Sequence, residues 1–276
     1  MKQRTIGSAV TVDGIGLQTG AKVMVKLCPA PVNTGIRFIR TDLADRPEID
    51  IRKAVQEGAA QAERRTVLGS GPLQVQTTEH FLAALAGYSI DNLFVEIDNV
   101  ELPGLDGSAA DFLRLIKKAK ISEQDADKAV HKVMAPVWCA DGGSFLAVFP
   151  DDHFRISYTL SYASQAIGTQ FFSIVVDEKS FETEIAPART FCLEEEALEL
   201  IKRGLGRGAT HENTLVIGKN GPIKNFFRFP DELVRHKVLD LIGDLFLLGA
   251  PLLGHVVAIK SGHKLNMELV KKLKSQ

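Results

Sequence analysis

The sequence predicts an α+β fold made of two similar halves that face each other. Short segments rich in β-branched and apolar residues, at 10–17, 21–27 and 35–39, are separated by glycines and prolines and indicate strands. Further along, the order helix, strand, glycine-containing loop and helix occurs once in each half of the chain. A cleft between two such halves is a natural place for a site.

Length and composition are typical of a globular protein. The chain has 276 residues, of which 45% are hydrophobic and 24% are charged. Its 33 basic and 34 acidic residues give a net charge of -1, so no overall field attracts nucleic acid. No apolar stretch follows the basic residues of the N-terminus, which argues against a secretory signal. Three cysteines without a CxxC spacing agree with a reducing, cytoplasmic location.

In the first half, the predicted elements surround the pair Glu79-His80. A threonine of the preceding Thr77-Thr78 can cap a helix that runs to Gly87, with Glu79 at its positive end. The elements that follow are a strand at 92–97, a loop containing DGSAADF and a helix at 109–119. The charged stretch 118–132 is poor in large apolar residues and is the best candidate boundary between the halves.

The second half repeats this order after three β-like segments at 132–138, 144–149 and 154–161. A helix is predicted from Asp231 to Leu248, then a strand at 255–259, a loop and a helix at 264–273. The stretch 239–259 is long enough for a membrane span, but it contains Asp240, Asp244 and His255, which are unfavourable in hydrocarbon. We therefore predict a buried helix and strand, and no transmembrane segment.

His236 and Asp240 are four residues apart on a predicted helix, so their side chains lie on one face, one turn apart. Asp244 continues this face by one more turn. Imidazole and carboxylate are good zinc ligands, and three protein ligands leave the fourth position open for water. The alternative is a helical His–Asp pair without a metal, and this fragment alone favours that alternative.

The pair Glu79-His80 makes a metal site more plausible, because each half then contributes a helix that begins near a histidine. Taken alone, His80 could cap its helix and Glu79 could be an ordinary first-turn acid. If the two helices meet, His80, His236 and Asp240 form a three-ligand hydrolytic site. Glu79 then lies beside the attacking water as a general base.

His263 follows Ser261-Gly262 in a predicted loop, where functional side chains are common. It is either an exposed loop histidine or a cation that stabilises an oxyanion and protonates a leaving group, with Asp244 raising its pKa. Thr190 either ends a strand or donates its hydroxyl to the same oxyanion. The residues alone leave both pairs of alternatives open.

Seven segments, in this order and at these spacings, resemble the UDP-3-O-acyl-N-acetylglucosamine deacetylases of lipid A synthesis over nearly the whole chain. They are GIGLQTG at 14–20, NTG at 33–35, TEH at 78–80, LDGSA at 105–109, ARTF at 188–191, VRHKVLDLIGD at 234–244 and KSGH at 260–263. The resemblance implies two similar two-layer α/β sandwich domains, at residues 1–126 and 127–276, with the active site between them and an acyl-chain insertion near 191–217. It also implies hydrolysis of an N-acetyl group to acetate and a free amine.

The resemblance further implies a role for each matching residue. The zinc ligands are His80, His236 and Asp240. Glu79 is the general base. His263 stabilises the developing charge and acts as the general acid, and Asp244 supports His263. Thr190 donates a hydrogen bond to the oxyanion. Lys237 contacts the nucleotide diphosphate, with an ordinary solvated helix lysine as the alternative. Phe191, Leu193 and Ile201 contact the acyl chain, with a buried amphipathic helix as the alternative.

Two features depart from the family pattern. Gln18 stands where the family usually has a histidine, and Glu194-Glu195-Glu196 makes the mouth of the insertion acidic. Neither affects the expected zinc ligands, although Fe2+ can occupy the same donors as Zn2+.

Two other functions stay open: a zinc-stabilised module that binds a nucleotide sugar without turnover, and a zinc amidohydrolase of another acylated amine. Glu79 beside a ligand histidine argues against the first, since a structural site has no use for a base. We expect an acylated UDP-sugar as the small-molecule partner, no nucleic acid, a monomer, and transient contact with a membrane surface.

Overall fold

The computed structural model describes residues 1–54, 61–62 and 64–276. The strands of the first half are β1 (Lys2–Ile6), β2 (Val10–Ile15), β3 (Lys22–Pro29), β4 (Ile36–Arg40), β5 (Glu48–Asp50), β6 (Gln61–Ala62), β7 (Arg65–Ser70), β8 (Leu73–Gln76), β9 (Leu93–Ile97) and β10 (Ile121–Asp127). Its helices are α1 (Ile51–Ala54), α2 (Glu79–Gly87) and α3 (Ala110–Ala119).

The strands of the second half are β11 (His131–Lys132), β12 (Val137–Asp141), β13 (Ser144–Phe149), β14 (Phe154–Ser161), β15 (Thr169–Val175), β16 (Phe191–Leu193), β17 (Leu215–Gly218), β18 (Gly221–Pro222) and β19 (Leu252–Ile259). Its helices are α4 (Glu178–Ser180), α5 (Glu194–Lys202), α6 (Glu232–Leu245) and α7 (His263–Lys274), with a π-helical turn at Phe181–Ile185 and a 3-10 turn at Phe246–Leu248.

The main sheets of the two halves have the same topology. The strand order is β2-β3-β9-β4-β5 in the first half and β12-β13-β19-β14-β15 in the second, where β11 also pairs with the start of β19. Each central strand, β9 or β19, is antiparallel to one neighbour and parallel to the other. Parallel neighbours require a crossover connection, which includes α2 in one half and α6 in the other. The α+β fold and the predicted internal similarity are therefore confirmed.

The two crossover helices pack against each other at the centre of the molecule. In α2 the residues from Phe81 to Leu85 are fully buried, because α6, α3 and the side chain of Phe38 from β4 pack against this short apolar helix. The buried apolar side chains of both halves form one continuous core. The beginning of α2 and the middle of α6, where the predicted site residues lie, are thus brought together.

Each half also inserts a small sheet before its crossover helix. The first insertion contains β6-β7-β8, and the second contains β16-β17-β18 together with α5. The family resemblance implies the second insertion near 191–217 but not the first, whose strands carry no recognised motif. Both insertions contribute to the cavity described below.

The charged stretch that was predicted as a boundary contains strand β10, which pairs antiparallel with β1. No side chain of β10 is buried, which explains why this strand has few large apolar residues. A domain boundary between residues 126 and 127 stays a prediction. Every helix among the described residues is too short or too polar to span a bilayer.

Candidate metal centre and active site

The predicted metal ligands converge from α2 and α6. The Nε2 atoms of His80 and His236 lie 3.6 Å and 3.3 Å from Oδ1 of Asp240, and the two imidazole centroids are 4.9 Å apart. One ligand atom from each residue lies within 4.8 Å of the others, and all three side chains are buried. Two imidazole nitrogens and one carboxylate oxygen that converge in this way fit an ion such as Zn2+.

The orientation of His236 is set by a backbone carbonyl. Its Nδ1 lies 3.0 Å from the oxygen of Ala188. Since a carbonyl oxygen can only accept a hydrogen bond, Nδ1 carries a proton and Nε2 is the nitrogen that faces Asp240. A histidine that binds a metal through Nε2 is held by such a bond from its Nδ1–H.

The segment that carries Ala188 is held by a buried ion pair. Nε of Arg189 and its backbone N–H both donate to Oε1 of Glu232 at 3.0 Å, and the guanidinium also donates to the carbonyl of Phe226 at 2.6 Å. Arg189 and Glu232 are almost fully buried. Because Ala188 and Thr190 flank Arg189, the ion pair positions both the carbonyl that orients His236 and the threonine that faces the cavity.

Glu79 is buried beside the candidate metal ligands, at the first position of α2. Its Oε2 accepts a hydrogen bond from the backbone N–H of Thr66 at 2.9 Å. Burial raises the pKa of Glu79, although the neighbouring histidines oppose this effect. A carboxylate whose proton affinity is raised is a suitable general base near neutral pH.

The predicted threonine cap of α2 is wrong. Thr78 occupies the N-cap position, but its hydroxyl is directed to the carbonyl of Thr66, 3.4 Å away, and it accepts no bond from the helix. The hydroxyl of Thr77 donates to Glu101 instead. Strand β7 of the first insertion, which sequence reasoning did not foresee, supplies the competing acceptor for Thr78.

His263 and Asp244 form the predicted pair. Nδ1 of His263 lies 2.7 Å from Oδ2 of Asp244, which also accepts from the side-chain amide of Asn266 at 2.8 Å. Burial disfavours the charged imidazole, but the carboxylate of Asp244 more than compensates and raises the pKa of His263 to about 9. His263 is the first residue of α7 rather than a loop residue, because the helix begins directly after Gly262.

Thr66 links these catalytic candidates, and sequence reasoning missed it. Its backbone N–H binds Glu79, its hydroxyl donates to Oδ1 of Asp244, and its Oγ1 lies 3.1 Å from Nδ1 of His263. Nothing in the local sequence marks this threonine, since its partners lie 13, 178 and 197 positions away.

The three candidate ligands line a cavity of about 1090 Å³ together with every catalytic candidate except Asp244, which lies behind His263. Lys237 lies in its wall and donates to Oδ2 of Asp240 at 2.6 Å. Burial opposes its charge, but Asp240 and Tyr158 raise the pKa of Lys237, so the ammonium stays protonated. The alternative of an ordinary solvated lysine is therefore wrong. The other basic residues of the lining are Arg64, Arg65, Lys224, Lys260 and Lys264.

The second insertion gives the cavity an apolar side. Its apolar lining residues are Phe191, Ala197, Leu198, Leu200, Ile201, Val216 and Ile223. Leu193 is not part of the lining and packs against the core. The alternative of a buried amphipathic helix is wrong, because α5 has no buried residue and Leu198 and Ile201 are 57% and 64% exposed.

Comparison with known proteins agrees with this geometry. Residues 3–275 match the family model described as UDP-3-O-acyl N-acetylglycosamine deacetylase. The chain belongs to this deacetylase family. Among curated relatives, UDP-3-O-acyl-N-acetylglucosamine deacetylase of Myxococcus xanthus (strain DK1622) is 42% identical, over 99% of this chain and 86% of the relative.

Two further deacetylases of the same name are similar over almost the whole chain. The protein of Chlamydia felis (strain Fe/C-56) is 44% identical, over 98% of this chain and 96% of its own length. That of Citrifermentans bemidjiense is 42% identical, over 98% and 88%. The resemblance inferred from the seven motifs is confirmed, and the chain is a deacetylase, a hydrolase of an amide bond.

Proposed function

We propose that the cavity binds UDP-3-O-acyl-N-acetylglucosamine and that the residues around His80 hydrolyse its acetamide to acetate and a free amine. Membership of the family places this deacetylation in lipid A synthesis. One observation carries the assignment of the site. Three metal-type donors, a buried carboxylate and His263 lie together in the wall of one cavity that has a basic part and an apolar part, and Asp244 holds His263 from behind this wall.

The ion that we propose for His80, His236 and Asp240 is Zn2+. When bound, a Zn2+ ion acts as a Lewis acid that polarises the acetyl carbonyl and lowers the pKa of a water to about 7. The same donors accept Fe2+, since imidazole and carboxylate do not select zinc by affinity alone.

The side chains around these ligands carry the protons. Glu79 accepts a proton from the water whose oxygen forms a bond to the acetyl carbon. The hydroxyl of Thr190 and protonated His263 donate to the oxygen that becomes negative. His263 then delivers its Nε2 proton to the sugar nitrogen as the C–N bond breaks, while Asp244 holds Nδ1–H. Glu79 is left protonated and His263 neutral until proton exchange restores both.

The two ends of the substrate match the two parts of the lining. The acyl chain lies along Phe191 and Ile201, because an open apolar surface gains free energy when a hydrocarbon chain covers it. Lys237 contacts the diphosphate: its ammonium has three donors, of which Asp240 occupies one. We leave Leu193 out of the acyl contact, because it lies away from the cavity.

Metal exchange combined with acetate release tests this proposal. Protein stripped with a chelator is reloaded with Zn2+ or Fe2+, its metal content is measured, and acetate release from UDP-3-O-acyl-N-acetylglucosamine is followed. We expect no release from the stripped protein and one metal ion per active chain. Tight metal binding that stabilises the fold without turnover would instead identify a nucleotide-sugar binding module.

Three expectations about the whole protein stay predictions. They are a cytoplasmic location, a monomer, and transient contact with a membrane surface. Sedimentation of the purified protein, alone and with vesicles that contain anionic phospholipid, measures the last two.

A further inference from the structure

We propose that the first half of the chain clamps helix α5 at both ends, and that Gln18 is a positioning residue of this clamp that sets the preference for acyl-chain length. This inference rests on the proposed function, since it assigns the acyl chain to the side of the cavity that α5 lines. It assigns a role to Gln18 and to Glu196. Gln18 is one departure from the family pattern, and Glu196 belongs to the other, the acidic run of residues 194–196.

The clamp at the C-terminal end of α5 is a set of three hydrogen bonds between two loops. The side-chain oxygen of Gln18 accepts from the N–H of Gly206 at 3.1 Å. The main-chain oxygens of Gln18 and Leu17 accept from the N–H groups of Arg207 and Gly208 at 3.2 Å and 3.1 Å. Residues 17–18 thus hold three successive amides of the insertion.

Glycines allow this contact between the two loops. A Cβ atom at Gly208 would come within 2.3 Å of the main-chain oxygen of Gly16, and one at Gly20 within 2.8 Å of the Cβ of Arg207. Both distances are shorter than side-chain carbons tolerate, so the loops approach each other more closely than larger residues would allow. The close contact between the two loops therefore depends on the absence of side chains at Gly208 and Gly20.

The first-half loop that contains Gln18 is itself connected, through Glu101, to the segment that leads into α2. Glu101, which is 1% exposed, accepts from the backbone N–H groups of Gln18 and Thr19, both at 2.8 Å. Its Oε1 also accepts from the hydroxyl of Thr77 at 2.7 Å, two residues before Glu79. The position of the clamp is therefore fixed relative to the base and the metal ligand of α2.

The clamp at the N-terminal end of α5 is an ion pair. Arg64, beside strand β7 of the first insertion, pairs with Glu196 in the first turn of α5. Oε2 of Glu196 also accepts from the backbone N–H of Leu193 at 2.8 Å, which stabilises the beginning of the helix. Glu196 therefore joins the two insertions across the cavity, whereas its neighbour Glu195 is exposed.

Helix α5 depends on these ends because it has no buried residue of its own. Between the clamps it presents Ala197, Leu198 and Ile201 to the cavity. α5 contacts β16 and β17 of its own insertion without fully burying a side chain, so the bonds at its two ends contribute to its position. Loosening either end therefore changes the width of the apolar side. A long acyl chain contacts more of this surface than a short one, so the binding of a long chain is weakened more when the width changes.

The first test compares Gln18→Leu, which removes the acceptor, with Gln18→Glu, which keeps an acceptor oxygen. Acetate release is measured with UDP-3-O-acyl-N-acetylglucosamines of several chain lengths. Losing one hydrogen bond is expected to raise the KM for the longest chain by roughly three- to tenfold in Gln18→Leu, less for the shortest chain, and with a smaller change in kcat. In Gln18→Glu, the KM for each chain length is expected to stay near that of the unmodified protein.

The second test uses the other clamp. Glu196→Gln removes the charge that pairs with Arg64 but keeps an oxygen for the N–H of Leu193. Glu195→Gln, in the same turn and with the same change of charge, is the matched control. We expect the chain-length dependence of KM to change in Glu196→Gln and to stay that of the unmodified chain in Glu195→Gln.

Amide hydrogen exchange measures the hydrogen bonds of the clamp independently of catalysis. We expect the amides of residues 206–208 to exchange faster in Gln18→Leu than in the unmodified protein, with no change at residues 81–85. Unchanged exchange at 206–208, or a KM that rises equally for every chain length, overturns the inference. Absence of acetate release from the unmodified, metal-loaded protein contradicts the proposed function instead, while the exchange result still decides whether the clamp exists.

Discussion

Gly243 of α6 lies directly against the main-chain oxygen of Glu79 in α2. A Cβ atom at position 243 would come within 2.0 Å of this oxygen, so the backbones of the two helices are in contact. Along α6 this contact lies between Asp240, a proposed metal ligand, and Asp244, the partner of His263. The distance between the two helices at the candidate metal centre therefore depends on the absence of a side chain at Gly243.

Gly243→Ala is expected to separate α2 from α6. Overpacking of this kind destabilises by about 2 kcal/mol, even though alanine favours helix formation. Because His80 lies on the displaced helix, we also expect weaker metal binding and lower activity. Gly168→Ala is a control, because this half-buried glycine has positive φ but no atom near its added Cβ, and only backbone strain is expected there. Equal metal affinity in Gly243→Ala and the unmodified chain would contradict the prediction.

Glu79→Gln tests the general base. The amide keeps an oxygen for the N–H of Thr66 but cannot accept the proton of the attacking water. We expect normal metal content and a kcat reduced by roughly 10² to 10⁴, because general-base catalysis contributes about this factor. Metal analysis and acetate release are measured on the same sample. Full turnover in metal-loaded protein would remove Glu79 from this role.

Asp244→Asn tests the support of His263. Activity that needs protonated His263 is lost as the pH rises through the pKa of the imidazole, which Asp244 raises to about 9. Without the carboxylate this pKa falls, so the alkaline limb of the pH–rate profile is expected to move to lower pH. The profile of kcat/KM measures it, and an alkaline limb that stays in place would argue for a different titrating group.

The same pair also affects stability in a defined pH range. A histidine whose pKa is raised in the folded state stabilises fully below its unfolded value of about 6.5. This stabilisation is lost as the pH rises through the folded value of about 9. Asp244→Asn is therefore expected to be less stable than the unmodified protein at pH 6, with a smaller difference at pH 10. Thermal unfolding at the two pH values measures the difference.

Glu232→Gln tests the buried ion pair behind His236. It leaves Arg189 charged and buried without a full partner, which costs about 3 to 5 kcal/mol when one member of such a pair is removed. Because the pair positions Ala188, we also expect metal to dissociate faster from the variant at a temperature where it is folded. Asp152→Asn is the control, since its pair with Lys132 is exposed and contributes between 0 and about 1 kcal/mol. Equal metal release rates would separate the ion pair from the metal site.

The parts of the site that the sequence predicts are those with a local period or an ordered motif. His236 and Asp240 are one helical turn apart, so their common face follows from spacing alone. The helix that begins at Glu79-His80 and the repeated order of elements are also readable along the chain. Together with the seven ordered motifs of the deacetylase family, these patterns predict the three ligands.

Contacts between distant segments are not readable in this way. Thr66 binds Glu79, Asp244 and His263, and Ala188 orients His236, yet no spacing relates these residues to their partners. The same holds for Gln18 and Gly206, which are 188 positions apart. Such pairs form only when two sheets of equal topology bring α2 and α6 together and place both insertions over the cavity. The common face of His236 and Asp240 therefore follows from local periodicity, whereas their meeting with His80, the orientation of these side chains and the shape of the cavity depend on how the two halves pack.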